Sequence, residues 1–153
     1  MDSNSVRIGE LLPHGPEMTL VDRLVSYTPT GSVIAADISE RCVFFDRTGV
    51  PAWAGIEYMS QAVAAHAGYE ARLRGEPPAL GFVLGTRAYE SLVDEFPSGC
   101  TLKISVEPQA LEAGFGSFLC TIATDRVIAT AVINVYRPSV AELDRLRIAS
   151  KAR

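Results

Sequence analysis

Residues 51–69 read PAWAGIEYMSQAVAAHAGY, and this stretch decides the fold. Pro51 suits the first turn of a helix, where its missing N–H does no harm. Gly75 and the pair Pro77 and Pro78 supply a stop, so the pattern predicts one long helix over about 51–74. That helix is apolar on nearly every face, which predicts burial within protein. Glu57, Gln61 and His66 interrupt its longest apolar run and argue against a membrane span.

Working outward, residues 5–12 predict a short helix, broken by Pro13 and Pro16. Strands are expected over 18–28 and 32–39, joined through the Pro29-Thr30-Gly31 turn as a hairpin. Beyond the helix, strands are expected over 79–92, 102–109, 115–124 and 127–136. The segment CTLKISVEPQ alternates, with Leu102, Ile104 and Val106 on one face and Lys103, Ser105 and Glu107 on the other. Strands, one apolar helix, then more strands is an α+β pattern in which an antiparallel sheet wraps a central helix.

The chain has 153 residues, enough for one domain with one core, and nothing in it reads as a repeat or linker. A net charge of −4 argues against a nucleic-acid partner. The basic residues Arg145, Arg147, Lys151 and Arg153 predict a solvated tail over 138–153. Cys42, Cys100 and Cys120 are widely separated, so neither a disulfide framework nor a metal site is expected, and a cytoplasmic setting is. MDSNSVRIGELL lacks the apolar core of a signal peptide.

On a helical wheel Glu57 shares a face with Trp53, Ser60, Gln61, Ala64 and Gly68. That face begins polar and then loses bulk, the shape of a reaction end opening into a narrow apolar channel. The alternative is that Ala64 and Gly68 merely let a strand or helix approach. Glu57 lies among apolar neighbours, and burial of a carboxyl favours the protonated, proton-donating form. Its place near a helix start, favourable to the macrodipole, is the structural alternative. His66 lies roughly opposite Glu57 and reads as a buried helix histidine satisfied by a backbone carbonyl.

Two segments carry a family resemblance. LLPHGPEMTLVDR (11–23) resembles the opening of the hot-dog 3-hydroxyacyl-(acyl carrier protein) dehydratases. PAWAGIEYMSQ (51–61) is similar to the start of their central helix, with Pro51, Glu57 and Gln61 at the positions of its Pro, acidic residue and Gln. FPSGCTLKISVE (96–107) is a weaker echo of their Pro-Gly turn and following strand. The wording of 51–69 is similar to a dehydratase-like branch of aryl-polyene clusters.

The resemblance implies a hot-dog fold and an acyl thioester on a phosphopantetheine arm, from carrier protein or CoA, with no other cofactor. It implies Glu57 as the acid and backbone N–H groups of Ala52 and Trp53 as holders of the thioester carbonyl. Gln61, Ala64 and Gly68 would line the acyl path. The sequence departs from the family in one respect: its loop histidine is replaced by Val43. His14, in the PHGP loop, is the candidate base, with an ordering role in that loop as the alternative. Three functions follow: a dehydratase, a reduced subunit supporting an active dehydratase, or a thioesterase. A homodimer is expected, or a heterodimer with a second dehydratase.

Overall fold

A computed structural model describes residues 6–12, 15–78 and 81–151. The strands are β1 (Arg23–Thr28), β2 (Gly31–Asp37), β3 (Gly49–Pro51), β4 (Phe82–Ser91), β5 (Glu95–Pro97), β6 (Thr101–Glu112), β7 (Phe115–Ala123) and β8 (Val127–Tyr136). The helices are α1 (Gly55–Leu73) and α2 (Val140–Lys151). Six strands form one antiparallel sheet in the order β1-β2-β6-β7-β8-β4, and β3 pairs with β5. The α+β expectation holds.

Alternation in β6 seats Leu102, Ile104 and Val106 in the core while Lys103 and Glu107 face out. Their partners across the ladder, Ile122 and Cys120 of β7, are buried too. Helix α1 packs on β6, β2, β7 and β8 through Tyr58, Met59, Ala62 and Ala65, all fully buried. Each large side chain buried there contributes about 1.5–3 kcal/mol.

The helix start is set by small residues and a tyrosine. Ala52–Ala54 form a 3-10 turn ahead of α1. Tyr89 of β4 donates its hydroxyl to the Ala52 carbonyl, and a Cβ on Gly55 would collide with that hydroxyl. At the other end of the chain, Ser139 and Glu142 cap α2 reciprocally: Glu142 N–H donates to Ser139 Oγ at 3.2 Å and Ser139 Oγ donates to Glu142 Oε1 at 3.2 Å. Helix α2 buries no residue, as a solvated tail requires.

Two local expectations need correction. The first strand begins at Arg23 and not at Met18, because the backbone of 18–20 bonds to a side chain of α1 instead of to a neighbouring strand. The short helix expected over 5–12 is a single 3-10 turn, Ile8–Glu10. His14 lies outside the described residues.

Candidate active site

Sheet covers one side of α1 and leaves the other side to two different neighbours. On one flank the segment leading into β1 lies directly on the helix. Gln61, 1% exposed, accepts the Leu20 N–H at 2.7 Å and donates to the Met18 carbonyl at 2.7 Å. Gly68 meets the main chain of Leu11 so closely that a Cβ would overlap its carbonyl. Both residues were expected along an acyl path, yet within this chain Gln61 is taken by Met18 and Leu20 and Gly68 by Leu11. Close approach was the alternative weighed for Gly68, and the structure places it there.

On the other flank α1 opens into a cavity of about 520 Å³. Ser60, Ala64, Ala67 and Glu70 form its helix wall, with Val83 of β4 and Phe115 of β7 opposite. These helix positions follow the i, i+3, i+4 rows of one face, so the cavity runs along α1 for about 15 Å. Ala64 therefore does line an open space, and Ser60 and Ala67 extend that line where Gln61 and Gly68 were expected.

One turn before Ser60 stands Glu57, exposed and not buried as the apolar neighbours suggested. Those neighbours, Tyr58 and Met59, point into the sheet and leave the carboxylate on the uncovered side. Trp53, the sole tryptophan, is 63% exposed on the same open side and packs edge-on against Phe44, 5.3 Å between ring centres. The Ala52 N–H, one of the two expected carbonyl donors, is already given to the Asp94 carbonyl at 2.9 Å. Val43, in the place of the family histidine, is 53% exposed.

His66 also differs from expectation. Its Nδ1 lies 2.5 Å from Ser32 Oγ and its Nε2 2.6 Å from Glu70 Oε1, with no backbone carbonyl involved. Two acceptors would repel at 2.6 Å, so Nε2 carries the proton and Nδ1 accepts from Ser32. Glu70 is thus the ion-pair neighbour of this buried nitrogen, although the contact falls outside regular hydrogen-bond geometry. Burial pushes the imidazole below its ordinary value and the Glu70 carboxylate pulls partly the other way. Nothing in the sequence joins Ser32 to His66, which are brought together only by the packing of β2 under α1. Among the described residues no group of three His, Cys, Asp or Glu side chains could hold a metal ion, and no helix is long and apolar enough to cross a membrane.

A curved antiparallel sheet on one long helix, with a carboxylate at the helix start and an apolar cavity beside it, defines a hot-dog domain. The profile of the ApeP-like family, described as ApeP dehydratase, matches residues 6–146, and the chain belongs to that family. This agrees with the resemblance read from 51–69. The chain is similar to a structure of the dehydratase heterocomplex ApeI:P from Xenorhabdus doucetiae, with 28% identity, a TM-score of 0.84, and 92% of this chain and 97% of that one covered. It is similar in fold to the PaaI protein of the E. coli phenylacetic acid degradation operon, at 12% identity and a TM-score of 0.58, covering 74% and 81% of the two chains. A hypothetical thioesterase with coenzyme A from Streptococcus pneumoniae TIGR4 shares the fold at 8% identity and a TM-score of 0.60, covering 76% and 85%. No curated protein matches the chain.

Proposed function

We propose that the chain is a 3-hydroxyacyl-thioester dehydratase subunit whose reaction centre is completed by a second subunit. The observation that carries this reading is the position of Glu57: exposed on α1, one turn before Ser60, which lines an apolar cavity. A carboxylate so placed in one chain becomes a water-excluding site when another chain covers it. The open edge strand β4, with Val83 and Leu84 at least half exposed, offers the surface for that contact. The heterocomplex formed by the similar ApeI:P pair supports a second dehydratase as the covering chain.

In the reaction a base takes the proton from the carbon next to the thioester carbonyl. The electrons of that C–H bond form the new double bond, and the β-hydroxyl leaves as water with a proton from Glu57. The Trp53 N–H at the helix start is the remaining expected donor to the thioester carbonyl. The base is His14 or a group of the second subunit, and the acyl chain follows Ser60 and Ala64 into the cavity.

The test is dehydration of a 3-hydroxyacyl carrier protein by the purified chain, alone and mixed with its partner dehydratase. Turnover is expected in the mixture and to fall when Glu57 of this chain is changed to Gln. Turnover that ignores the Glu57 substitution in every combination would overturn the reading in favour of a supporting subunit. Release of free thiol without dehydration would make the chain a thioesterase.

A further inference from the structure

Tyr89 reaches the start of α1 because β4 breaks its own register. Arg87 pairs with Val132 and Glu90 with Thr130, so residues 88 and 89 stand opposite a single residue of β8. Such a bulge re-aims a side chain, and Ala88 carries the irregularity with a φ of 54°, in the left-handed region that alanine seldom enters. The bend seats the Tyr89 ring against the core and brings its hydroxyl to the Ala52 carbonyl. Gly55 lacks the Cβ that would occupy the place of that hydroxyl. A strained residue and a glycine thus combine to make one hydrogen bond to one carbonyl.

That carbonyl belongs to the same peptide unit as the Trp53 N–H. A trans peptide is planar with its C=O and N–H on opposite edges, so whatever fixes one direction fixes the other. The Ala52 carbonyl accepts twice, from the Tyr89 hydroxyl and from the Gly55 N–H. The preceding peptide is held as well, since the Ala52 N–H is given to the Asp94 carbonyl. Trp53 is the second residue of the 3-10 turn and has no acceptor within the helix, so its N–H is left to a ligand. A hydroxyl on the carbonyl also polarises the amide and strengthens the opposite N–H as a donor, by about 10–30% per linked bond. Burial pushes the Tyr89 hydroxyl above its ordinary value, against a smaller opposite effect of Ser91, so it stays a donor at neutral pH.

We propose that Tyr89 is a positioning residue for dehydration: through the Ala52 carbonyl it aims and polarises the Trp53 N–H that receives the thioester carbonyl. This rests on the reading that the chain is a dehydratase subunit with the Trp53 N–H as that donor. When the base removes the proton next to the carbonyl, electrons of the C–H bond move toward the thioester oxygen and negative charge builds there. An N–H fixed in advance stabilises that charge more than it stabilises the neutral substrate. Tyr89 itself touches no reacting atom, and its effect falls on kcat more than on KM.

Tyr89→Phe removes the hydroxyl and keeps the ring. With the chain and its partner dehydratase mixed, kcat on a 3-hydroxyacyl carrier protein should fall about tenfold, less than the ~10²–10³ that follows loss of a whole oxyanion donor. KM should change by less than about twofold. Gly55→Ala displaces the same hydroxyl from the other side and should give a like loss, yet add little to Tyr89→Phe, because both act on one hydrogen bond. A merely structural defect would not move the infrared carbonyl stretch of bound decanoyl-N-acetylcysteamine, a thioester with no β-hydroxyl to lose. The downward shift of that stretch on binding should shrink in Tyr89→Phe while affinity persists. Should Tyr89→Phe not fold or assemble, Gly55→Ala carries the same two measurements. An unchanged kcat, a loss confined to KM, or a carbonyl stretch indifferent to Tyr89 would each overturn the inference. Absence of dehydration by the unaltered subunits would instead overturn the functional reading beneath it, so the two failures remain distinguishable.

Discussion

The Gln61 side chain and the Leu20 backbone, 41 residues apart, share a buried hydrogen bond of 2.7 Å. The same amide donates to the Met18 carbonyl, so one side chain takes the place of a missing strand partner for the segment entering β1. It fixes where residues 18–20 cross α1.

Gln61→Leu keeps the volume and removes both bonds. It leaves the Leu20 N–H buried and unpaired, which costs about 1–3 kcal/mol. Urea unfolding should register that loss, with the midpoint moving down and the slope unchanged. An unaltered midpoint would mean that water or a shifted backbone replaces the amide.

Gly68 and Ala64 lie one turn apart on α1 and face different surroundings, so the same kind of enlargement should give opposite results. A methyl group on Gly68 overlaps the Leu11 carbonyl, and Gly68→Ala should destabilise by about 1–3 kcal/mol, as over-packing does. Ala64 faces the cavity, and Ala64→Leu should lower the melting temperature less while shortening the acyl chain that is accepted. Melting curves and a chain-length profile on the two variants check both statements. A destabilised Ala64→Leu protein with an unchanged profile would remove the cavity from substrate binding.

These contrasts mark how far the sequence could be read. Helix α1, the β6 alternation and the α+β class were legible because each rests on local periodicity, which 3.6-residue and two-residue patterns encode directly. The wheel also grouped Ser60 and Ala64 on one face, and both line the cavity. It could not divide that face, because what covers Gln61 and Gly68 is a segment 40 to 60 residues earlier whose path no spacing rule gives. Glu57 was misread as buried for a related reason: apolar neighbours in sequence point round the helix into the sheet, away from the carboxylate. The Ser32–His66 contact, 34 residues apart, left no signal beyond a polar residue in each of two apolar elements.

His66 makes stability depend on pH. Its pKa is lowered in the folded chain by burial, whereas in the unfolded chain it titrates near the ordinary value of about 6.5. Unfolding therefore takes up a proton below that pH. The stability due to the neutral imidazole is complete above about pH 6.5 and is lost as the pH falls through that value toward the lowered one. The groups facing the ring are Glu70 on its own helix, Ser32 of β2, Tyr27 of β1 and Phe118 of β7. The Glu70 contact acts in the opposite direction on the imidazole but does not outweigh burial. Thermal melts at intervals between about pH 7.5 and 5.5 should show a decline that His66→Gln flattens. An identical decline in that variant would assign it to other groups.

Glu57 provides the sharpest separation of chemistry from folding. Its side chain is exposed, so Glu57→Gln should change stability by no more than about 0.5 kcal/mol, the range of ordinary surface substitutions. The amide keeps the size and hydrogen-bonding reach of the carboxyl group but has no proton to deliver to a departing hydroxyl. In the assembled pair of subunits dehydration should fall by about 10²-fold or more, the contribution of one general acid. Binding of a non-reactive acyl thioester should persist, because the cavity beyond Ser60 is untouched. Should the variant assemble and bind while turnover falls, Glu57 is the acid, and the covering subunit or His14 is left to supply the base. Should assembly itself fail, Glu57 instead belongs to the subunit contact, and a charge-reversed partner residue that restores pairing without restoring turnover would establish that role.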